Sequence, residues 1–294
     1  MDVALQHWSA SWPVLIAYVL LAAWHLVGLR GRLAPPARDA TRRQLVGEAA
    51  VFQLGLAVIA AALVSPIGYW STIYLPVRAC QELLVAVACP GLIVLGAPWA
   101  ALRLPPRRLA GLLARPVLAV AAANVVWIAW QVPVLADAAH GNVVVRLAEY
   151  ATYVVAGIMF WLQLISSRPL AQHSAPLRRF VLLAGTVLAS TVLGMVLVFG
   201  ANRLYPAYLG AAHSGMSVVQ DQQLAGAVLW MGMLVPLVVA GVALLMQWFS
   251  NEESAELAAD LDRLLAARPY GWPSRPVHRW TSEMTRSRRL QCLV

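Results

Sequence analysis

Arg78 and Glu82 stand four residues apart at the head of an uncharged run that continues from 83 to 97. At helical spacing the two side chains share one face and are within reach of each other. Their chemistry is that of an ion pair at the rim of an apolar environment, where an unpartnered charge is costly and marks a candidate site. Further polar residues fall at corresponding places. Gln81 sits beside the pair, Gln131 and Asp137 follow a second apolar run, Arg146, Glu149 and Tyr150 open a third, and Asp221, Gln222 and Gln223 open a fourth. Acids, bases and amides in this mixture make a charge network or a surface for a partner. Hydrolytic or phosphoryl-transfer chemistry is not expected, because no nucleophile–base pair, phosphate loop, dinucleotide fingerprint or H-E-x-x-H is present. Cys80, with Met216 and Met231, offers a second reading of the same region, since thiolate and thioether suit copper(I).

The elements that position these residues follow from composition. Of 294 residues, 61% are hydrophobic and 12% charged, about half the charged share of a soluble domain. The apolar excess has to face lipid, and its long continuous runs select helices over a barrel of ten-residue alternations. Seven segments are predicted, at 13–29, 47–64, 75–97, 116–135, 143–165, 180–199 and 223–249. The expected class is therefore an all-α, polytopic membrane bundle, with a seven-helix domain over 1–249. Residues 250–294 form an appendage: an amphipathic helix over 252–267, then an Arg- and Pro-rich tail. Segment 7 is long enough to tilt, or to kink at Pro236.

The net charge is +9 and the chain has no lysine. Its arginines alternate between connections. Arg30, Arg32, Arg38, Arg42 and Arg43 join segments 1 and 2; Arg103, Arg107, Arg108 and Arg115 join 3 and 4; Arg168, Arg178 and Arg179 join 5 and 6. The intervening connections hold only Arg203. The positive-inside rule then predicts the N-terminus outside and the C-terminus cytoplasmic, and it accounts for the charge without a nucleic-acid partner. This orientation gathers the polar residues at the outer ends of their helices. There Arg146 is expected to pair with Glu82, Asp137 or Asp221, and Asp221 to cap its own helix. His25 falls at the cytoplasmic end of segment 1, beside Trp24, as an interfacial residue. His7, His140 and His213 lie outside without paired spacing. Cys80, Cys89 and Cys292 form no C-x-x-C pair, and no disulfide framework is expected. Asn124 is predicted to bond a neighbouring helix, and Gly185, Ser190 and Gly194 to mark close packing.

Several stretches in order carry a resemblance over about residues 45–249: ALVSPIG at 62–68, PGLIVLGAPW at 90–99, Trp130 with Pro133 and Asp137, LYPAY at 204–208, and DQQLAGAVLW at 221–230. Together they resemble the CtaG family of cytochrome c oxidase assembly factors, the seven-helix type found beside caa-type oxidases. The resemblance implies a bacterial inner-membrane protein that helps mature a haem–copper oxidase, in the family case by supplying or placing copper. Its expected partners are the lipid bilayer and an oxidase subunit or copper chaperone. It also implies histidines where this chain has Arg78, Glu82, Gln131, Arg146 and Tyr150, with only Glu149 kept from the last motif. Arginine stays protonated and cannot ligate a metal. The expectation is therefore a member without the histidine site and without a bound cofactor, acting as a scaffold or chaperone at the outer leaflet. The alternatives are copper handling through Cys80 and methionines, and a small-molecule or ion carrier.

Overall fold

The computed structural model describes residues 12–33, 39–104, 115–165, 167, 175–200, 202, 204–205, 207–208 and 216–266. Among them there is no strand. Six helices are long and apolar enough to cross a membrane, or seven if a bent pair counts as one span. In chain order they are α1 (Trp12–Leu33), α2 (Asp39–Val64), the short α3 (Pro66–Trp70), α4 (Leu75–Leu83), α5 (Cys89–Leu95), α6 (Pro116–Trp130), α7 (Pro133–Gly141), α8 (Val143–Leu164), α9 (Pro176–Phe199) and α10 (Val218–Ala266). His7, Arg203, His213, Cys292 and the tail from 268 lie outside the described residues. The chain divides into two compact units, Met1–Met246 and Gln247–Val294. In the second, Asp260 and Arg263 form an exposed pair at 3.3 Å, a geometry that contributes little.

Two segments depart from the sequence expectation, both at prolines. The third span is not one α-helix: α4 passes through a π-helical turn, Leu84–Ala88, before α5. Pro90 has no N–H to give, so the ladder loses a bond here. The Trp161 indole of α8 donates to the Val87 carbonyl at 2.9 Å. The fourth span, expected as one run over 116–135, breaks by 69° between α6 and α7. Val132 takes the extended conformation (φ −67°, ψ 128°) that a following proline imposes, and Pro133 starts α7 in a new direction. The seventh lies within α10, which has Pro236 inside it.

Polar side chains inside the bundle are satisfied across helices. Asn124 of α6 donates to Thr186 Oγ1 of α9 at 2.9 Å. His25 is not an interfacial residue: only 2% of it is exposed. Its Nδ1 lies 3.3 Å from Gln53 Nε2 of α2, and its ring lies against Phe52. An imidazole is cheaper to bury with an amide partner than to leave facing lipid unpaired. Gly194 packs tightly on Trp230, whereas Gly185 meets nothing within 4 Å.

A tight backbone approach at the π turn is made by Gly157 of α8, which lies on the Ala86 carbonyl and the Pro90 ring with no room for a Cβ. Gly157→Ala is therefore expected to destabilise the bundle by roughly 1–3 kcal/mol, and Gly185→Ala to leave it unchanged. Thermal unfolding of the two variants in detergent checks this, and equal melting temperatures would contradict it.

Candidate functional site

The site is built from α4 outward. Helical spacing puts Arg78 and Glu82 on the inner face of α4, while Cys80 is exposed. Arg78 uses its whole guanidinium. Nε donates to Glu82 Oε1 at 2.6 Å and Nη2 to Glu149 Oε1 of α8 at 2.7 Å. Nη1 donates to the Tyr208 hydroxyl at 2.5 Å and to the Ala136 carbonyl of α7 at 3.3 Å. The two carboxylates are each 2% exposed and the Arg78 side chain 11%. The second oxygen of Glu82 accepts from Gln131 Nε2 at 2.6 Å. Charge-assisted bonds of this length are the strong ones.

The break between α6 and α7 supplies part of the geometry. Gln131 ends α6, and the turn into α7 leaves its carbonyl outside the helical ladder. The Tyr205 hydroxyl donates to that carbonyl at 2.8 Å. Tyr205 and Tyr208 thus bind the loop before α10 to the cluster, and the Arg78 guanidinium also lies over the Tyr208 ring. Burial raises both phenols above their ordinary value, so they stay neutral at physiological pH. A second layer ties in α2: Gln81 Nε2 donates to the Ala62 carbonyl at 2.8 Å, and the Tyr150 hydroxyl donates to Gln81 Oε1 at 2.9 Å.

Arg78, Gln81, Glu82, Gln131, Glu149 and Tyr150 are therefore brought together. Arg146 lines the same small cavity without bonding to the carboxylates, and the other expected members lie outside the cluster. Arg146 pairs with none of Glu82, Asp137 or Asp221. It donates to the Ala139 and His140 carbonyls at 3.1 and 2.8 Å, at the end of α7, where carbonyls lack helical partners and a cation is favoured. Asp137 joins no ion pair among the described residues, and its Oδ1 is buried without a hydrogen-bond partner. Asp221 does not cap its own helix. Its Oδ2 accepts the Leu75 N–H at 3.4 Å and so serves α4, whose own Tyr74 offers no capping side chain.

The start of α10 is held by Ser217 and Gln220, which exchange side-chain bonds with each other's backbone N–H at 3.2 and 2.9 Å. Gln222 accepts the Leu204 N–H at 2.9 Å and donates to the Asn202 carbonyl at 3.3 Å, pinning the same loop. Gln223 is half-buried and outside this network. Sequence reasoning missed Tyr205, Tyr208 and Ser217. The S-x-x-Q capping pattern at 217–220 was a readable signal for the last. Nothing local marks Tyr208 as the partner of a residue 130 positions away, or Tyr205 as the partner of one 74 away.

A metal does not fit the cluster. Both carboxylates are occupied by Arg78, and the cavity beside them measures about 10 Å³, room for one water. Among the described residues no three His, Cys, Asp or Glu side chains gather. Met231 is exposed like Cys80, and Met216 half-buried.

The model of the family described as cytochrome c oxidase caa3 assembly factor, Caa3_CtaG, matches residues 16–251. The chain belongs to the Caa3_CtaG family. No curated protein and no solved structure matches it. As a Caa3_CtaG protein it is a cytochrome c oxidase assembly factor, set in a membrane and working with the oxidase. The cluster of Arg78, Glu82 and Glu149 lies inside the matched range.

Removing Arg78 alone leaves two buried carboxylates without their cation. Arg78→Met is expected to cost about 3–5 kcal/mol. The triple variant Arg78→Met, Glu82→Gln, Glu149→Gln should regain most of that loss. Denaturation in detergent compares them, and a triple variant no more stable than the single one would contradict the pairing.

Proposed function

We propose that this chain is a multi-pass protein of the bacterial inner membrane that assists oxidase assembly as a non-catalytic scaffold, without a metal at its polar cluster. The observation that carries the reading is the Arg78 guanidinium. It fills the centre of the cluster, engages both carboxylates, and joins α4, α7, α8 and the loop before α10. A fixed cation there repels copper, and Gln131 and Tyr150 occupy the second oxygen of Glu82 and the Gln81 amide oxygen. What such a cluster does well is hold helix ends and a loop in one arrangement, so that a partner subunit meets a preformed surface. The alternation of arginine between connections supports placing this end outside and the C-terminus in the cytoplasm.

The test is made on protein purified from copper-replete cells. The expected result is copper far below one per chain, with an oxidase subunit co-purifying. That subunit should be lost with Arg78→Met and kept with Cys80→Ser. About one copper per chain, released by Cys80→Ser, would overturn the reading in favour of copper handling.

A further inference from the structure

A different surface lies at the other end of the first unit. The Ala62 carbonyl, near the end of α2, touches the Arg78 cluster through Gln81. Arg42, in the first turn of α2, is 20 residues earlier, about 30 Å away along the helix. There α1 ends and α2 begins around a small apolar cluster of their own, Leu29, Leu45 and Ala49 with Leu33 packed on them. Arg30 and Arg32 stand in the last turn of α1. Arg42 and Arg43 stand early in α2, and all four are exposed.

A third element joins them. Gly28 of α1 lies so close to the Ala101 carbonyl that no Cβ fits between them. The turn after Pro98–Ala100 is thereby held against the end of α1. In that turn Leu102 is buried, while Arg103 is exposed with φ 56°, a left-handed conformation uncommon for a side-chain-bearing residue. None of these five arginines has a carboxylate partner among the described residues.

Depth and pattern then select the ligand. α1 has 22 residues, about 33 Å, which matches a hydrocarbon core of about 30 Å and puts its last turn at the phosphate layer. One turn inward from Arg30 and from Arg42, on the same helix faces, lie Leu26 and Val46, both exposed. A topological signal needs positive charge alone. It needs neither apolar side chains one turn below the charges nor a third element locked beside them.

We propose that this arginine rim and the apolar strip beneath it bind an acidic phospholipid. The guanidinium forks hold the headgroup phosphate and Leu26 and Val46 contact the acyl chains. The full chain in detergent is titrated with cardiolipin, with phosphatidylcholine and with inorganic phosphate, and bound lipid is counted by native mass spectrometry. Cardiolipin should bind and phosphatidylcholine should not. The triple variant Arg30→Gln, Arg42→Gln, Arg103→Gln should lose roughly a hundredfold in cardiolipin affinity. The corresponding lysine triple, which keeps the charge that sets topology, should stay within about tenfold of the parent. Arg115→Gln with Arg178→Gln should bind as the parent does. Equal binding by parent and glutamine triple would overturn the proposal, as would equal binding of phosphatidylcholine. Inorganic phosphate displacing cardiolipin at millimolar concentration would also overturn it, marking a free-anion site.

Discussion

One guanidinium shared by two buried carboxylates is the constraint on which the outer architecture rests. Neither Glu82 nor Glu149 could remain at 2% exposure as a lone charge in an apolar bundle, and Arg78 could not remain there without them. Each group is tolerable only while the others are in place. Because they come from α4 and α8, and because the same guanidinium reaches α7 and Tyr208, the helices that carry them must close together. The clasp is cooperative in that sense: it specifies one arrangement of several helix ends more than it adds net stability.

Two irregularities make the clasp possible. The bend at Pro133 frees the Gln131 carbonyl for Tyr205 and swings α7 so that the Ala136 carbonyl meets Arg78. The π turn before Pro90 is accommodated by Gly157 and Trp161 of α8, the helix that also carries Glu149. Backbone defects inside a membrane are tolerated where neighbouring helices satisfy the freed groups. Here the groups that meet them, Trp161 of α8 and Tyr205 of the loop before α10, belong to the elements that form the cluster, so departures from ideal helix geometry and polar pairing support each other.

Much of this was legible from residue pattern. The apolar runs marked the spans to within a few residues for α1, α8 and α9, because continuous hydrophobicity is a direct imprint of lipid. The four-residue spacing of Arg78 and Glu82 marked their shared face. What was not legible depends on three-dimensional choice among partners. Arg146 had three acids to choose from and took carbonyls at the end of α7 instead, because that helix stops at Gly141 before the extended Asn142 and leaves them open. Asp221 had the composition of a cap, and the cap it provides belongs to a different helix. His25 looked interfacial by its position, since nothing in α1 foretells Gln53. The tyrosines of the loop before α10 were visible as residues but not as hydrogen-bond partners.

The most direct test of the account is hydrogen–deuterium exchange on the parent and on Glu149→Gln, which weakens the clasp without emptying it. If Arg78 couples these elements, backbone exchange rises together in four places: the starts of α4 and α8, α7, and the loop carrying Tyr205 and Tyr208. The arginine-rich end of α1 and α2 should stay unchanged. A rise confined to α8, with α4, α7 and the loop as protected as in the parent, would contradict the central claim.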